Sequence, residues 1–150
     1  MIMQYNATSS TLNLVDTASS QGVFNLFLRA AEKADLLEVL KGVGLHTIFA
    51  PTDEAFENLA SGQLDRLLKP ENKLELTGIV GYHVLKGRRT IDRLVNWSSA
   101  RTANGLELQI AHNESGLTVD GARITLPDLR ASNGVLHGID KLNLPTARPV

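Results

Sequence analysis

Cysteine is absent from the 150-residue sequence, and neither sign of charge is in clear excess, since the formal net charge is −1. Without cysteine there can be no disulfide, no thiol nucleophile and no thiolate metal site, although this leaves the cellular compartment open. Because acidic and basic residues are interspersed, the overall charge does not favour nucleic acid as a partner. We therefore predict no nucleic-acid function.

The sequence also lacks long apolar runs, phosphate-binding loops and clustered metal ligands. No apolar stretch reaches the roughly 18 residues that span a bilayer, and the first residues, MIMQYNATSS, resemble no secretory signal. GxGxxG and GxxxxGK loops are missing, and the histidines are dispersed, at His46, His83, His112 and His137. We predict no membrane insertion, no cofactor and no tightly held metal, in a chain that is either cytosolic or a mature form.

The length fits one domain with an ordinary hydrophobic core. We expect this domain over residues 12–145, with flexible tails at 1–11 and 146–150, where the residues are mostly small or polar. Nothing in the sequence fixes the oligomeric state, and a monomer is the expectation.

The stretch TIFAPTDEAF (47–56) predicts a short buried strand that leads directly into a helix. Its first residues are β-branched or aromatic, and Pro51 marks the end of the strand. Thr52 has the side chain of a helix N-cap, and Asp53 follows in the first turn, where a carboxylate meets the positive end of the helix dipole. We interpret this stretch as a helix cap and a core anchor, Phe56, in preference to a ligand site.

Helical periodicity dominates the first half of the chain. Before position 35, apolar residues repeat at helical spacing and predict one helix with an apolar face. A second short helix is predicted from Asp35, with Glu38 completing a capping box and Gly42 ending the helix. Two helices would then precede the first strand. Further on, one helical face carries Leu76, Ile79, Val80 and His83. His83 is therefore predicted to be a buried, hydrogen-bonded core residue, which is commoner than a metal ligand.

The last third alternates apolar and polar residues with a period of two, as half-buried antiparallel strands do. Asp120-Gly121 lies between two such runs and predicts a tight hairpin, and Asn133-Gly134 predicts a turn before an interior strand from Val135 to Ile139. We expect that strand to continue over residues 142–144.

Three stretches in this order resemble the fasciclin-type (FAS1, beta-Ig-H3) domain family. They are TIFAPTDEAF, the sequence Tyr82-His83-Val84, and NGVLHGIDKLNLP from Asn133 onward. The segment between the first two also resembles the family without a gap, so the resemblance covers about residues 12–145. One departure is Gly138, where the family usually has a larger apolar residue.

The resemblance implies an α+β fold: a wedge of two antiparallel β-sheets, with N-terminal and intervening α-helices covering one side. The signature residues that would serve this structure are Thr52, Asp53, Asn133, Gly134 and His137. It also implies a non-catalytic adhesion module that is extracellular, at the cell surface or in the periplasm. In animal members the tyrosine-histidine region and an acidic-apolar motif have been implicated in integrin binding. The corresponding positions here are Tyr82, His83 and Leu126–Leu129, and Leu126 stands where the animal motif has an acidic residue.

We hypothesise a contact surface for a cell-surface protein or an extracellular-matrix or glycan component. It would be an exposed sheet edge formed by Tyr82, the loop Lys86 to Arg89 and the segment Pro127 to Arg130. The candidate binding residues are Tyr82, His83, Lys86, Arg88, Arg89, Pro127, Asp128 and Leu129. Pro127 suits an edge because it cannot donate to a ladder, and tyrosine and arginine are common interface anchors. The competing interpretation is that Tyr82 packs in the core, Asp128 caps a turn and the basic loop is merely solvated.

Two other functions stay open at this point. The first is a carrier of a small apolar ligand, held in a cleft between the sheets. The more remote one is a hydrolase that uses Ser132, His137 and Asp140, which are close in sequence. Within one strand, however, His137 and Asp140 would point to opposite faces, so we predict no catalysis from them.

Overall fold

A computed structural model of the protein describes residues 12–42, 44–59, 62–113 and 116–143. The predicted tails, 1–11 and 146–150, lie outside these ranges, as do the last two residues of the predicted domain. Helices occupy the first two thirds of the described chain. They are α1 Leu14–Gln21, α2 Asn25–Lys33, α3 Leu37–Lys41, α4 Asp53–Glu57, α5 Gln63–Leu68, α6 Lys73–Gly81 and α7 Ile91–Leu94, with a 3-10 turn at Pro70–Asn72.

The strands form one hydrogen-bonded series of seven, in the order β2-β1-β7-β6-β5-β4-β3. They are β1 His46–Pro51, β2 Val84–Lys86, β3 Ser99–Arg101, β4 Glu107–Asn113, β5 Gly116–Val119, β6 Ala122–Ala131 and β7 Gly134–Ile139. The α+β class is as predicted. The pairing is not entirely antiparallel, because β1 and β7, the two signature strands, run parallel. Parallel neighbours need a long crossover, and most of the chain lies between these two strands.

Three helices precede β1 in the described chain, where the sequence predicted two. The additional one is α1, which Asn13 caps by accepting a hydrogen bond from the Asp16 N–H at 2.8 Å. The predicted capping box at Asp35 is wrong. Asp35 has a left-handed backbone (φ 61°), and its carboxylate pairs with Lys73 instead of capping α3. A tertiary ion pair has taken the side chain that local sequence assigned to a cap.

The strand-to-helix prediction at 47–56 is confirmed. The β1 strand is buried from Thr47 onward, and the Thr52 hydroxyl accepts a hydrogen bond from the Ala55 N–H at 3.3 Å, which caps α4. Asp53 does more than the sequence predicts. Its carboxylate accepts the N–H of Leu26 at 2.7 Å, in the first turn of α2, a helix without a side-chain cap of its own. This one segment therefore caps two helices.

The sheet has an apolar core on each face. On β1, Ile48 and Ala50 pack against the helices, whereas Phe49 points into a second cluster enclosed by the sheet itself. That second cluster contains Phe49, Tyr82, Leu85, Leu94, Ala100, Leu108, Ile110, Leu117, Val119, Ala122 and Ile139. Successive side chains of a strand point to opposite faces, so a strand buried on both sides reads as a continuous apolar run.

Gly138 lies opposite Leu126 in the β6–β7 ladder. A Cβ added to Gly138 would lie 2.9 Å from the Leu126 Cβ and 3.0 Å from Cζ of Phe24. Leu126 and Phe24 therefore occupy the space that a larger residue at this position would need.

The hairpin prediction is confirmed, because Asp120 and Gly121 both have positive φ (48° and 84°) between the paired residues Val119 and Ala122. The predicted continuation of β7 over 142–144 is wrong for its described part. The strand ends at Ile139, and Asn143 instead donates its N–H to the His83 ring at 3.0 Å.

Thr52→Ala is expected to lower the free energy of unfolding by about 1 kcal/mol, because the first turn of α4 loses its side-chain acceptor. Urea unfolding followed by circular dichroism measures this loss. Thr52→Ser is the matched control, since it keeps the hydroxyl and should lose less than half as much. If alanine and serine are equally stable, the cap contributes nothing.

Candidate functional site

The loop that follows β2 and the end of β6 lie side by side, although they are far apart in the sequence. Arg88 joins them, since its Nη2 donates to the carbonyl oxygens of Ala131 at 3.1 Å and Ser132 at 3.4 Å. The basic loop therefore contacts β6 just after the segment Pro127 to Arg130.

His137 lies beneath this junction and is fully buried. Its Nδ1 accepts the Asp128 N–H at 3.0 Å and its Nε2 donates to the Arg89 carbonyl at 2.8 Å, so the ring bridges β6 and the basic loop. The ring also stacks on Phe49, with 5.7 Å between centroids. Burial lowers the pKa of His137, and the neutral ring suits both hydrogen bonds. Both ring nitrogens of His137 are therefore used inside the fold.

Asp128 lies in a bulge of β6, between the register positions Leu126 and Leu129. Its backbone is left-handed (φ 56°), and its carboxylate accepts the Ile91 N–H at 3.0 Å at the start of α7. This agrees with the competing interpretation, in which Asp128 is a cap. Pro127 is exposed in the same bulge. Among the described residues β5 pairs with β6 only at Ala122 and Arg123, so from Ile124 onward β6 pairs with β7 alone, and the predicted edge position of Pro127 agrees with this pairing. A bulged residue is unpaired, so a proline there leaves no ladder bond unmade.

The basic loop is held in place and is not merely solvated. The Thr47 hydroxyl donates to the Gly87 carbonyl at 2.6 Å and accepts the Arg89 N–H at 2.8 Å. The Arg89 guanidinium lies over the Trp97 ring, 5.0 Å from its centroid. We call the surface made by Arg88, Arg89, Pro127, Asp128, Leu129 and Arg130 the loop face. Its backbone is fixed by these contacts, and its exposed charged residues, Arg88 and Arg130, are both basic.

Tyr82 and His83 do not lie on this surface, which corrects the predicted exposed edge. The Tyr82 side chain is only 6% exposed, and its hydroxyl donates to the Asp120 carboxylate in the β5–β6 turn. His83 is fully buried, as its helical spacing predicted. Its Nε2 accepts the Asn143 N–H, so Nδ1 carries the proton and donates to the Ile79 carbonyl at 2.8 Å. Burial lowers the pKa of His83 to about 4. A contact role for either residue stays a prediction that the folded state does not favour.

Asn133 and Gly134 make contacts inside the fold that the turn preference of the pair does not reveal. The Asn133 side chain accepts the Leu14 N–H at 2.8 Å and donates to the carbonyls of Leu40 at 2.7 Å and Gly42 at 2.9 Å. One amide thus satisfies the start of α1 and the end of α3. Gly134 is paired with His46 on β1.

A surface groove of about 520 Å³ lies between the two edge strands, β2 and β3. Its lining includes Leu85, Lys86, Arg89, Trp97, Ala100 and Arg101. Sequence reasoning missed this groove because its two sides come from strands whose proximity depends on the curvature of the whole sheet. The signal that was available is the sole tryptophan of the chain, close in sequence to two of the cations.

Two of the residues weighed for hydrolysis, His137 and Asp140, are engaged in other contacts. Both ring nitrogens of His137 are used by the backbone, and the Asp140 carboxylate accepts the Arg123 N–H at 2.8 Å. Over the described ranges, no three histidine or carboxylate side chains are grouped so that they could hold a metal ion. Among the same residues, no helix is long and apolar enough to cross a membrane.

The carrier hypothesis requires room between the two halves of the sheet. The core of that region is instead filled by large side chains, including Phe49, Leu94 and Leu108. The space beside Phe27, Phe56 and His83 on the helical side is about 10 Å³, no more than a water molecule needs. The packing of these residues offers the carrier hypothesis no support.

Comparison of the sequence with known families and proteins gives a consistent result. The family model of the Fasciclin domain matches residues 22–145. Protein sll1483 of Synechocystis sp. is 36% identical over 144 residues, which are 96% of this chain and 79% of that protein. Human periostin is 30% identical over 134 residues, 89% of this chain and 16% of periostin.

A plant protein and a solved insect structure are also similar to this chain. Fasciclin-like arabinogalactan protein 16 of Arabidopsis thaliana is 33% identical over 148 residues, 95% of this chain and 32% of that protein. A solved FAS1 domain pair, from the insect cell adhesion molecule Fasciclin I, superposes with a TM-score of 0.78 at 17% identity, covering 90% of this chain and 51% of that chain. At this identity the superposition shows a shared fold.

Proposed function

Because the chain belongs to the fasciclin domain family, we propose that it is a non-catalytic adhesion or protein-interaction module that works outside the cell, at its surface or in the periplasm. The relatives support an adhesive role, since one solved domain pair comes from an insect cell adhesion molecule. Its partner would be a cell-surface protein or a component of the extracellular matrix, including its glycans.

The observation that carries the proposal is the fixed backbone of the loop face. The basic loop is tied to β1 through Thr47 and to β7 through His137, and Arg88 ties it to the end of β6. A surface that is already ordered loses little conformational entropy when a partner binds, which favours affinity. Pro127 and Arg130 are exposed on it, beside the half-exposed Leu129. An exposed proline and a half-exposed leucine beside arginines agree with the composition of protein interfaces, in which arginine is enriched.

Attachment of cells tests the proposal directly. Beads coated with the folded chain should bind cells of the source organism in a saturable manner, and free chain in excess should compete for that binding. A chain that attaches to nothing on those cells, while circular dichroism shows it folded, would contradict the adhesive function.

Arg130→Glu is expected to raise the coating density needed for half-maximal attachment about tenfold, because reversing an interface charge makes an attractive contact repulsive. The side chain is exposed, so stability should change by less than about 0.5 kcal/mol. Lys33→Glu, on the exposed side of α2, is the matched control and should attach like the wild type. Equal attachment by both variants would remove the loop face from the proposal.

A further inference from the structure

In β2, a strand at the end of the sheet, the main-chain N–H and C=O of Lys86 point away from β1, the one strand with which β2 pairs. In an antiparallel ladder, alternate residues exchange hydrogen bonds with the partner strand. The Phe49 N–H bonds to the His83 carbonyl and the Gly87 N–H to the Leu45 carbonyl, both at 2.8 Å. Leu85 therefore faces β1, and the N–H and C=O of Lys86 point outward.

The opposite edge, β3, is arranged in the same manner. The Thr102 N–H bonds to the Leu106 carbonyl and the Ile110 N–H to the Ser98 carbonyl, both at 2.9 Å. Even-numbered residues of β3 thus face β4, and the main-chain groups of Ser99 and Arg101 point outward. Both outward rows face the groove between β2 and β3.

The two edges touch at one end and diverge from there. The Ala103 N–H donates to the Val84 carbonyl at 2.8 Å, which joins the edges. If β2 and β3 continued to pair as antiparallel strands from this bond, Lys86 would lie directly opposite Arg101. Like charges opposite one another destabilise a ladder, which disfavours direct closure of the sheet. A groove of about 520 Å³ lies beyond the joined end.

The groove has an apolar floor and a cationic rim. Leu85 and Ala100 belong to the enclosed core and reach the floor, whereas Lys86 and Arg101 are exposed. Arg89 lies over the Trp97 ring at the same rim. The Glu107 carboxylate lies 4.0 Å from Arg101 and offsets one of the three cations. The rim therefore keeps an excess of positive charge.

We propose that this groove binds an extended acidic peptide segment, which adds as a strand between β2 and β3. Its main chain would pair with the outward groups of Lys86 and Arg101. Alternate side chains would point in opposite directions, small apolar ones onto the floor and carboxylates toward the two cations. An acidic polysaccharide would match the charges but not the rows of main-chain donors and acceptors. The groove goes beyond the proposed function, because Arg101 and Trp97 lie outside the loop face.

Fluorescence of Trp97, the sole tryptophan, reports binding without a label. We expect a capped peptide of alternating glutamate and valine to change the emission in a saturable manner. A peptide with lysine in place of glutamate should not do so. Methylation of alternate backbone nitrogens should also abolish the change, because it removes the ladder bonds and keeps the charges.

Lys86→Gln with Arg101→Gln should weaken binding of the glutamate-valine peptide about tenfold or more, since two complementary charges are lost. Lys33→Gln with Lys69→Gln removes the same charge from exposed sites elsewhere and should bind like the wild type. No saturable change with the wild type, unchanged binding by the methylated peptide, or binding of oligogalacturonate in place of the peptide would each overturn the proposal. Such results would not affect the loop face, which Arg130→Glu tests separately.

Discussion

Gly134→Ala is expected to lower the free energy of unfolding by about 4 kcal/mol or more, beyond the usual range for an overpacked site. A Cβ at this position would lie 1.9 Å from the His46 carbonyl oxygen and 2.9 Å from its carbon. These are backbone atoms of the adjacent strand, so no side-chain rotation relieves the overlap. The β1–β7 ladder runs in register from His46 and Gly134 to Pro51 and Ile139, and a shift of either strand would disturb it throughout.

Chemical denaturation of the purified variant measures this loss. Gly78→Ala is the control, because a Cβ there meets nothing within 4 Å and the residue lies inside α6. Alanine is a better helix former than glycine by about 1 kcal/mol, so this variant should be at least as stable as the wild type. If Gly134→Ala were equally stable, the close approach of β1 and β7 would be wrong.

His83→Ala is expected to cost about 3 kcal/mol, because it combines a cavity with lost hydrogen bonds in a fully buried site. The ring joins the Ile79 carbonyl to the Asn143 N–H, and so connects the end of α6 to the segment after β7. A stable His83→Ala variant that failed to bind its partner would contradict the core assignment.

The same histidine makes stability depend on pH in a defined direction. Burial lowers the pKa of His83 to about 4 in the folded state, from an ordinary value of 6.5. Between these two pH values the unfolded chain binds more protons than the folded chain. The stability that depends on a neutral His83 is therefore fully present above pH 6.5 and is lost as the pH falls toward 4. At 1.36 kcal/mol per unit, the whole loss is about 3 kcal/mol.

Urea midpoints of the wild type and His83→Gln at pH 7 and pH 4.5 isolate this effect. Carboxylates and His137 titrate in both proteins and cancel in the difference, whereas His83 titrates only in the wild type. The stability advantage of the wild type should shrink at the lower pH. An advantage that stays constant would mean that His83 is accessible to protons in the folded protein.

Features with a local cause were predictable from the sequence. The Thr52 cap, the Asp120-Gly121 hairpin and the buried face that includes His83 each depend on residues within one or two turns of chain. Side-chain periodicity and turn preference act over that distance, so the pattern carries the information.

Features that depend on the meeting of distant segments were not predictable. Asp53 caps its neighbour α2 as well as lying in α4, Asp35 pairs with Lys73, and Pro127 lies in a bulge of β6. Tyr82 illustrates the consequence for the contact surface. An amphipathic residue suits an interface as well as a core, and only the position of Asp120 shows that its hydroxyl is satisfied inside.

The loop face is tested most directly by photo-crosslinking on intact cells. Arg130, exposed in β6, is replaced by the photoreactive residue p-benzoylphenylalanine, and a second protein carries the same residue in place of Lys33 on α2. After binding to cells of the source organism and irradiation, we predict a discrete crosslinked product from position 130 that is missing from position 33. The reverse pattern, or equal yields from both positions, would contradict adhesion through the loop face.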